Sequence, residues 1–419
     1  MNHSEIRVAS GRSTLPSDWE VPEIDELLEE ISMGPFGSDI KVDNFVSAGV
    51  PVLNGSNLRS HKLTGPFRNF VTAEKAKALK KAVASKGDIV VTHRGTLGQV
   101  AYIPDELEHE RFVVSQSQFR ARFDRSKVDP RWVPLYFLST QGQAALLEKK
   151  GHTGVPAISS PTKTFRALRL PLPAIHEQRR IVAAINDVEA EIEGLERLIA
   201  KKRDIKRAAM QQLLAGKTRL PGFTAAWDTK SIGEIADIVS GGTPKTSEPA
   251  YWNGSVLWCT PTDITAIPGK YLTSTERRIT ELGVRISGAR LLPPGALLLC
   301  SRATIGECKI ASRPTTTNQG FKSLICRSGA HNEFLYYKIL TLKNMLLEKS
   351  FGSTFLEISK ANLASIPLDM PPLEEQLAIA EALSDMDLEL DFLRARLAKT
   401  KAIKQGMMQQ LLTGKVRLA

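Results

Sequence analysis

Met210-Gln-Gln-Leu-Leu-Ala-Gly-Lys-Thr-Arg-Leu220 returns 198 residues later as Met408-Gln-Gln-Leu-Leu-Thr-Gly-Lys-Val-Arg-Leu418. Extended upstream, residues 170–220 and 368–418 align without a gap, and 22 of those 51 positions are identical. Self-similarity at a fixed offset means that one architecture is built twice. The copy continues more weakly toward the N-terminus. Leu15-Pro-Ser-Asp-Trp19 parallels Leu220-Pro-Gly-Phe223 and Trp227. Lys86-Gly-Asp-Ile-Val-Val-Thr-His-Arg-Gly-Thr-Leu-Gly98 parallels Pro294-Gly-Ala-Leu-Leu-Leu-Cys-Ser-Arg-Ala-Thr-Ile-Gly306, and Leu147-Glu-Lys149 parallels Leu347-Glu-Lys349. The order is therefore variable segment, constant segment, variable segment, constant segment.

The constant segments predict long helices. Each follows a proline-marked stop, Leu172-Pro173 and Met370-Pro371-Pro372, and proline suits a first helical turn because its missing N–H costs nothing there. Apolar residues recur in steps of four and three: Ile181, Ile185, Val188, Ile192, Leu195 and Ile199, then Ile379, Leu383, Met386, Leu390, Leu393 and Leu397. This is a heptad seam. In the first copy it breaks at Lys202 and is expected to resume, after a phase slip, at Ile205 and Ala209. Gly216 and Gly414 mark the helix ends. About 38 residues make a rod near ~57 Å.

Charge along each rod is polarised. The first carries Glu177, Asp187, Glu189, Glu191, Glu193 and Glu196 early and Lys201, Lys202, Arg203, Lys206 and Arg207 late. The second runs from Glu374, Glu375, Glu381, Asp385, Asp387, Glu389 and Asp391 to Lys399, Lys401 and Lys404. The pattern complements the helix dipole. It also makes the two helices attract best when antiparallel, acidic half on basic half, either within one chain or between two. Within one chain, such a pair would relate the variable segments by a pseudo-two-fold axis.

The variable segments read as mixed α and β. Asp88-Ile-Val-Val-Thr92 and Ala296-Leu-Leu-Leu-Cys300 look like buried strands, and 74–83 and 334–347 like short helices. Turn-rich stretches punctuate them at Gly34-Pro-Phe-Gly-Ser38, Asn54-Gly-Ser-Asn57 and Ser240-Gly-Gly-Thr-Pro-Lys245. The expected fold class is α+β: two domains with mixed, sheet-rich cores at residues 14–168 and 218–366, separated by long helices at 169–217 and 367–419 that form an antiparallel coiled coil, behind a disordered tail at 1–13.

Composition narrows the function. In 419 residues, Lys and Arg number 56 against 45 Asp and Glu, a net charge of +11, which leans toward a polyanionic partner. The four cysteines, Cys259, Cys300, Cys308 and Cys326, show no CxxC spacing. A disulfide scaffold is thereby excluded, a zinc site is disfavoured, and the thiols read as free in a reducing compartment. No apolar run of about 18 residues predicts a membrane span, and the N-terminal stretch has no apolar core of a signal peptide. A cytoplasmic location is expected.

Catalytic motifs are missing. Ala215-Gly-Lys-Thr218 resembles the end of a phosphate loop, but position 211 is Gln where the pattern needs Gly, and the copy at Gly414-Lys-Val416 loses the hydroxyl. Pro293-Pro-Gly295 is not the motif of amino-methyltransferases, and the seven histidines form no HExxH. His93 has Ser301 as its counterpart, which argues against a shared catalytic role. The acidic run Pro104-Asp-Glu-Leu-Glu-His-Glu110 lacks the lysine of a nuclease site.

What remains points to binding. Arg94 and Arg302 hold equivalent positions after a strand, and arginine can fork onto guanine or clamp phosphate; it can equally hold a loop, and the two roles stay open. Asn54, Asn57 and Arg59, and Thr260, Thr262 and Asp263, lie in polar loops where they can contact base edges or cap turns. Lys41, Lys163, Lys245 and Lys322 are candidates for phosphate contacts. Aromatic residues make up only 6%, which favours duplex readout over single-strand stacking.

Taken with Gly34-Pro-Phe-Gly-Ser38, Gly241-Gly-Thr-Pro244 followed by Tyr251-Trp252, Leu172-Pro-Ala-Ile-His-Glu-Gln178, Met370-Pro-Pro-Leu-Glu-Glu-Gln376 and the twin ends, nearly the whole chain resembles the specificity subunits of type I restriction-modification enzymes. The resemblance implies two target-recognition domains joined by an antiparallel coiled coil, each reading half of a split, asymmetric sequence in double-stranded DNA. It implies no catalysis and no cofactor in this chain. S-adenosylmethionine would belong to two adenine-N6 methyltransferase partners, ATP and Mg to two restriction subunits. The Glu-Gln and Gln-Gln pairs, Glu177, Gln178, Gln211, Gln212, Glu375, Gln376, Gln409 and Gln410, become candidates for the contact with partner subunits. Half-site centres would lie about one helical turn apart (~10 bp) if both readers meet one face of the duplex. Two departures are local: His176 stands where the second copy has Glu374, and Gly194 where it has Phe392. The rivals are a self-contained modification enzyme, opposed by the missing motifs, and a coiled-coil scaffold or DNA-binding regulator without a modification partner, opposed by the paired divergent domains.

Overall fold

The computed structural model describes residues 15–37, 39–148, 156–352 and 356–418. The expected tail at 1–13 and Lys149 of the repeated Leu-Glu-Lys lie outside the described residues. The chain divides into two units, residues 1–194 with 397–419, and residues 195–396. The sequence treats the long helices as bodies of their own. In the structure each unit instead combines one sheet domain with a stretch of both helices.

The helices themselves are as expected, Ile175–Leu213 and Leu373–Leu411, each of 39 residues. In the first unit Arg417 meets Glu177 at 2.7 Å and Lys404 meets Glu189 at 2.8 Å. In the second unit Arg219 meets Glu375 at 2.5 Å, Lys202 meets Glu389 at 2.6 Å, and Lys206 meets Asp387. Partner numbers fall along one helix as they rise along the other, so the pairing is antiparallel and intramolecular, basic half on acidic half. Ile181, Ile185, Ile192, Leu195, Ile199, Ile379, Leu383, Leu390 and Leu393 are buried along the seam. The slip is only half as expected: Ala209 is half-buried and packs against the core. Ile205 is 45% exposed, and the half-buried Lys202 and Lys206 face the partner helix instead. The acidic residues opposite them make ion pairs the better filling there.

Both sheet domains follow one plan. In the first, strands run in the order Leu28–Met33, Gln118–Phe123, Ile89–Thr92, Val100–Tyr102, all antiparallel. In the second, Ala236–Ser240, Lys322–Cys326, Leu297–Leu299 and Cys308–Ala311 repeat that order, and Tyr271–Leu272 adds a parallel edge. Each domain also has a second sheet in which an inner strand, Val50–Val52 or Trp252–Cys259, pairs one neighbour antiparallel and one parallel. Central strands buried on both faces read as continuous apolar runs, which is why Ile89-Val-Val91 and Leu297-Leu-Leu299 are fully buried.

The cores explain the grouping into units. Ile181, Val182, Ile185, Leu411 and Leu412 join Trp19, Trp132 and Phe119 in one cluster. Leu213, Leu214, Ile379, Ala380 and Leu383 join Ile232, Phe334 and Leu368 in another. Each sheet domain is thus fused to the helices through a common apolar core rather than hung from them.

Candidate nucleic-acid interface

Two loops and one turn meet at the same end of the main sheet in the first unit. Gly34 follows the strand Leu28–Met33, and its N–H donates to the Gln118 carbonyl at 2.9 Å. A Cβ at Gly34 would lie 2.0 Å from the Ser115 carbonyl oxygen, so only glycine fits. The next residues close a turn: the Phe36 N–H donates to Asp39 Oδ2 at 2.9 Å and the Asp39 N–H to the Phe36 carbonyl at 2.9 Å. That turn holds Phe36 out, 82% exposed. Ser38 lies outside the described residues. Beside it runs a cleft of about 610 Å³ lined by Phe36, Lys80, Lys81, His93, Arg94 and Gln116, among others. Lys80, Lys81, Arg94 and Gln116 are exposed. His93 is buried, and burial holds its pKa below 6.5 against the pull of the Gln116 backbone. Its Nε2 has no hydrogen-bond partner.

The second unit repeats the glycine contact with different side chains. A Cβ at Gly241 would lie 2.1 Å from the Asn318 carbonyl oxygen. The Gly242 carbonyl accepts from Trp258 Nε1 at 3.0 Å, and Trp258 stacks edge-on with Trp252 at 5.0 Å. The Arg277 guanidinium lies 3.6 Å from the Trp252 ring centre. Trp252 Nε1 donates to the Lys245 carbonyl at 3.2 Å, so Trp258 and Trp252 hold the two ends of the Gly-Gly-Thr-Pro-Lys loop.

The structure sorts the candidates into exposed and spent. Lys41, Arg59, Arg94, Lys163, Lys245 and Thr262 are exposed, and Arg302 is half-buried. Asn57 is buried; its Oδ1 accepts from the Asn54 N–H at 3.1 Å and its Nδ2 donates to the Thr64 carbonyl at 2.9 Å. Asn54 Oδ1 caps the Ser56 N–H at 2.9 Å. Thr260 Oγ1 donates to the buried Asp263 at 2.7 Å. Asn54, Asn57, Thr260 and Asp263 thus fill the turn-capping role. Lys322 is a correction: it sits in a strand, buried, with its ammonium on Glu357 at 3.0 Å, where it neutralises a carboxylate instead of facing solvent.

The Glu-Gln pairs are a second correction. Glu177, Gln178, Glu375 and Gln376 are all buried. Gln178 Oε1 accepts from the Asp129 N–H and Gln376 Oε1 from the His331 N–H; their Nε2 groups donate to the Pro173 and Pro371 carbonyls. Glu177 is forked by Arg417, and Glu375 by Arg219 and by Trp227 Nε1 at 3.1 Å. These four close the junction between helix and sheet domain and spend their hydrogen bonds inside the chain. Gln211, Gln212, Gln409 and Gln410 remain exposed.

Phe36, Lys80, Lys81 and Gln116 are the cleft residues the sequence left out as single candidates. Only the Gly-Pro-flanked position of Phe36, outside any apolar period, could have marked one of them. Among the described residues no group of His, Cys, Asp and Glu is placed to hold a metal ion, and no helix is long and apolar enough to cross a membrane. All four cysteines are free, with burial pushing Cys300 and Cys326 up to about 11.

Residues 16–201 and 225–402 match the family described as the type I restriction modification DNA specificity domain, twice over and across most of the chain. This chain belongs to that family. A type I restriction enzyme MjaIX specificity subunit of Methanocaldococcus jannaschii is 41% identical over 163 residues, covering 38% of each chain. A putative MjaX specificity subunit of the same organism is 23% identical over 430 residues, covering 96% of this chain and 95% of its own. The fold matches the HsdS subunit structure from Thermoanaerobacter tengcongensis with a TM-score of 0.53 at 21% identity, over 97% and 99% of the two chains. As a member of the specificity family, the chain serves target recognition on DNA in a restriction-modification system, and its duplicated domains are the two family domains.

Proposed function

We propose that this chain is the non-catalytic specificity subunit of a type I restriction-modification complex and that each sheet domain reads one half of a bipartite, asymmetric sequence in double-stranded DNA. The observation that carries this is one strand order with the same pinned-glycine loop built twice, around different exposed side chains. A common frame with divergent loops suits two readers of two sequences.

The partners that fit are two adenine-N6 methyltransferase subunits carrying S-adenosylmethionine and two ATP- and Mg-dependent restriction subunits. Gln211, Gln212, Gln409 and Gln410, exposed near the helix ends, are available for the contact. The test is an exchange of residues 14–168 for the matching domain of another family member, read by the sequence that the assembled methyltransferase modifies. One half of the target should change while the other stays. A change in both halves would refute the division of labour.

A further inference from the structure

One turn does not diverge between the two readers. Arg94-Gly-Thr-Leu-Gly98 and Arg302-Ala-Thr-Ile-Gly306 follow equivalent buried strands. Gly98 and Gly306 have φ of 83° and 89°, and Gly95 has φ of 85°. The residue matching Gly95 is Ala303, which is nevertheless held at φ 62°. For a residue with a Cβ, the left-handed region costs about 1–2 kcal/mol. The second domain keeps the backbone of the first even where its side chain resists it, and retained strain of this kind concentrates at functional positions.

The surroundings of the turn are also the same. The N–H before each arginine donates across the sheet, His93 to the Ser117 carbonyl at 2.9 Å and Ser301 to the Gly320 carbonyl at 2.8 Å. The carbonyls of His93 and Ser301 each accept from an isoleucine N–H, Ile158 and Ile358, both at 2.9 Å. Arg94 bridges Ala157 through its backbone, as Arg302 bridges Glu357. Among the described residues neither guanidinium makes an ion pair within 4.0 Å, although Arg302 has Glu357 as its backbone neighbour.

A group common to two readers cannot carry the difference between their targets. It meets what both half-sites share, and on duplex DNA that is the phosphodiester backbone. We propose that Arg94 and Arg302, each presented by this turn, are duplicated phosphate clamps, one per half-site, which dock the domain without reading its bases. In the first unit Lys80 and Lys81 extend the same cationic rim. The inference rests on the DNA-recognition reading above and assigns these two arginines the sequence-independent share of it.

The test uses the complex assembled with its methyltransferase subunits, carrying Arg94→Gln, Arg302→Gln, both together, or the Lys replacements. Binding to a cognate and an unrelated duplex is measured across a salt series, and the methylated sequence is mapped. Each Gln variant should weaken binding to both duplexes alike, by about tenfold near physiological salt, and flatten the slope of log K against log salt by about 0.9. The Lys variants should keep most of the affinity, because a point charge suffices for phosphate but not for a guanine fork. The methylated sequence should be unchanged throughout. A target relaxed at one position in the Lys variants would make the arginine a base reader. Full affinity and slope in the double Gln variant, with assembly intact, would remove it from the DNA contact. If a Gln variant fails to assemble, the Lys pair alone decides between retained and relaxed sequence. A wild-type complex with no specific binding would overturn the functional reading instead.

Discussion

Ala303 shows how a single residue records a constraint that composition does not. It keeps the left-handed backbone of Gly95 at the price of a Cβ clash. Ala303→Gly should therefore raise the unfolding free energy by about 1 kcal/mol, read by chemical denaturation; a loss would mean that the turn is not strained. Three histidines that packing withdraws from water make stability depend on pH. Burial lowers the pKa of His61, outweighing the upward pull of Glu189, and Asn186, Lys404 and Lys62 also face it. His93 and His331 are lowered by burial as well. The unfolded chain then binds protons that the fold refuses. The contribution is complete above about pH 6.5 and is lost as pH falls through the depressed folded values. Denaturation midpoints should drop between pH 7.5 and 5, and His61→Gln should shallow the drop. The residue scale is also where sequence reading fell short. The repeat aligned Arg94 with Arg302, and the structure places both on one kind of turn. Asn57 and Lys322 carry the same chemistry as true surface contacts, and only their burial and partners, set by distant strands, separate capping and charge pairing from recognition.

At the scale of elements, the seam and its polarity foretold long antiparallel helices, and the structure supplies what the periodicity could not. The resemblance offered the repeated Glu-Gln motifs as candidates for contact with partner subunits. They are buried because an arginine about 240 or 156 residues away in sequence reaches each glutamate. Removing the arginine leaves the buried Glu375 carboxylate, among the described residues, with only Trp227 Nε1, so Arg219→Ala should lower the denaturation midpoint of the second unit. Glu375→Gln, which keeps the shape and removes the charge, should soften the loss in the double variant. A double-mutant cycle with no coupling would assign Arg219 to solvent. The seam slip has a similar cause. Lys202 and Lys206 take inward positions because Glu389 and Asp387 stand opposite them, a partnership that a single helix cannot reveal.

At the scale of the whole molecule, duplication is the organising fact. Gene-scale repetition left the helix ends nearly identical and the domain loops different, and each half of the chain repeats one strand order and one pinned glycine. The long helices were legible from the repeat, and the α+β class from the apolar runs and turns of the segments between them. The grouping of each sheet domain with parts of both helices was not, because it depends on Leu411 and Leu412 sharing one core with Trp132, and Ile379 and Leu383 another with Phe334. The central claim, that two readers on one frame direct modification to a split target, is tested most directly by a methylome. N6-methyladenine would be mapped in cells carrying the cognate methyltransferase, with and without this chain. The account predicts a bipartite motif that appears only when the chain is present. An active, chain-bound methyltransferase that shows no chain-dependent motif would contradict it.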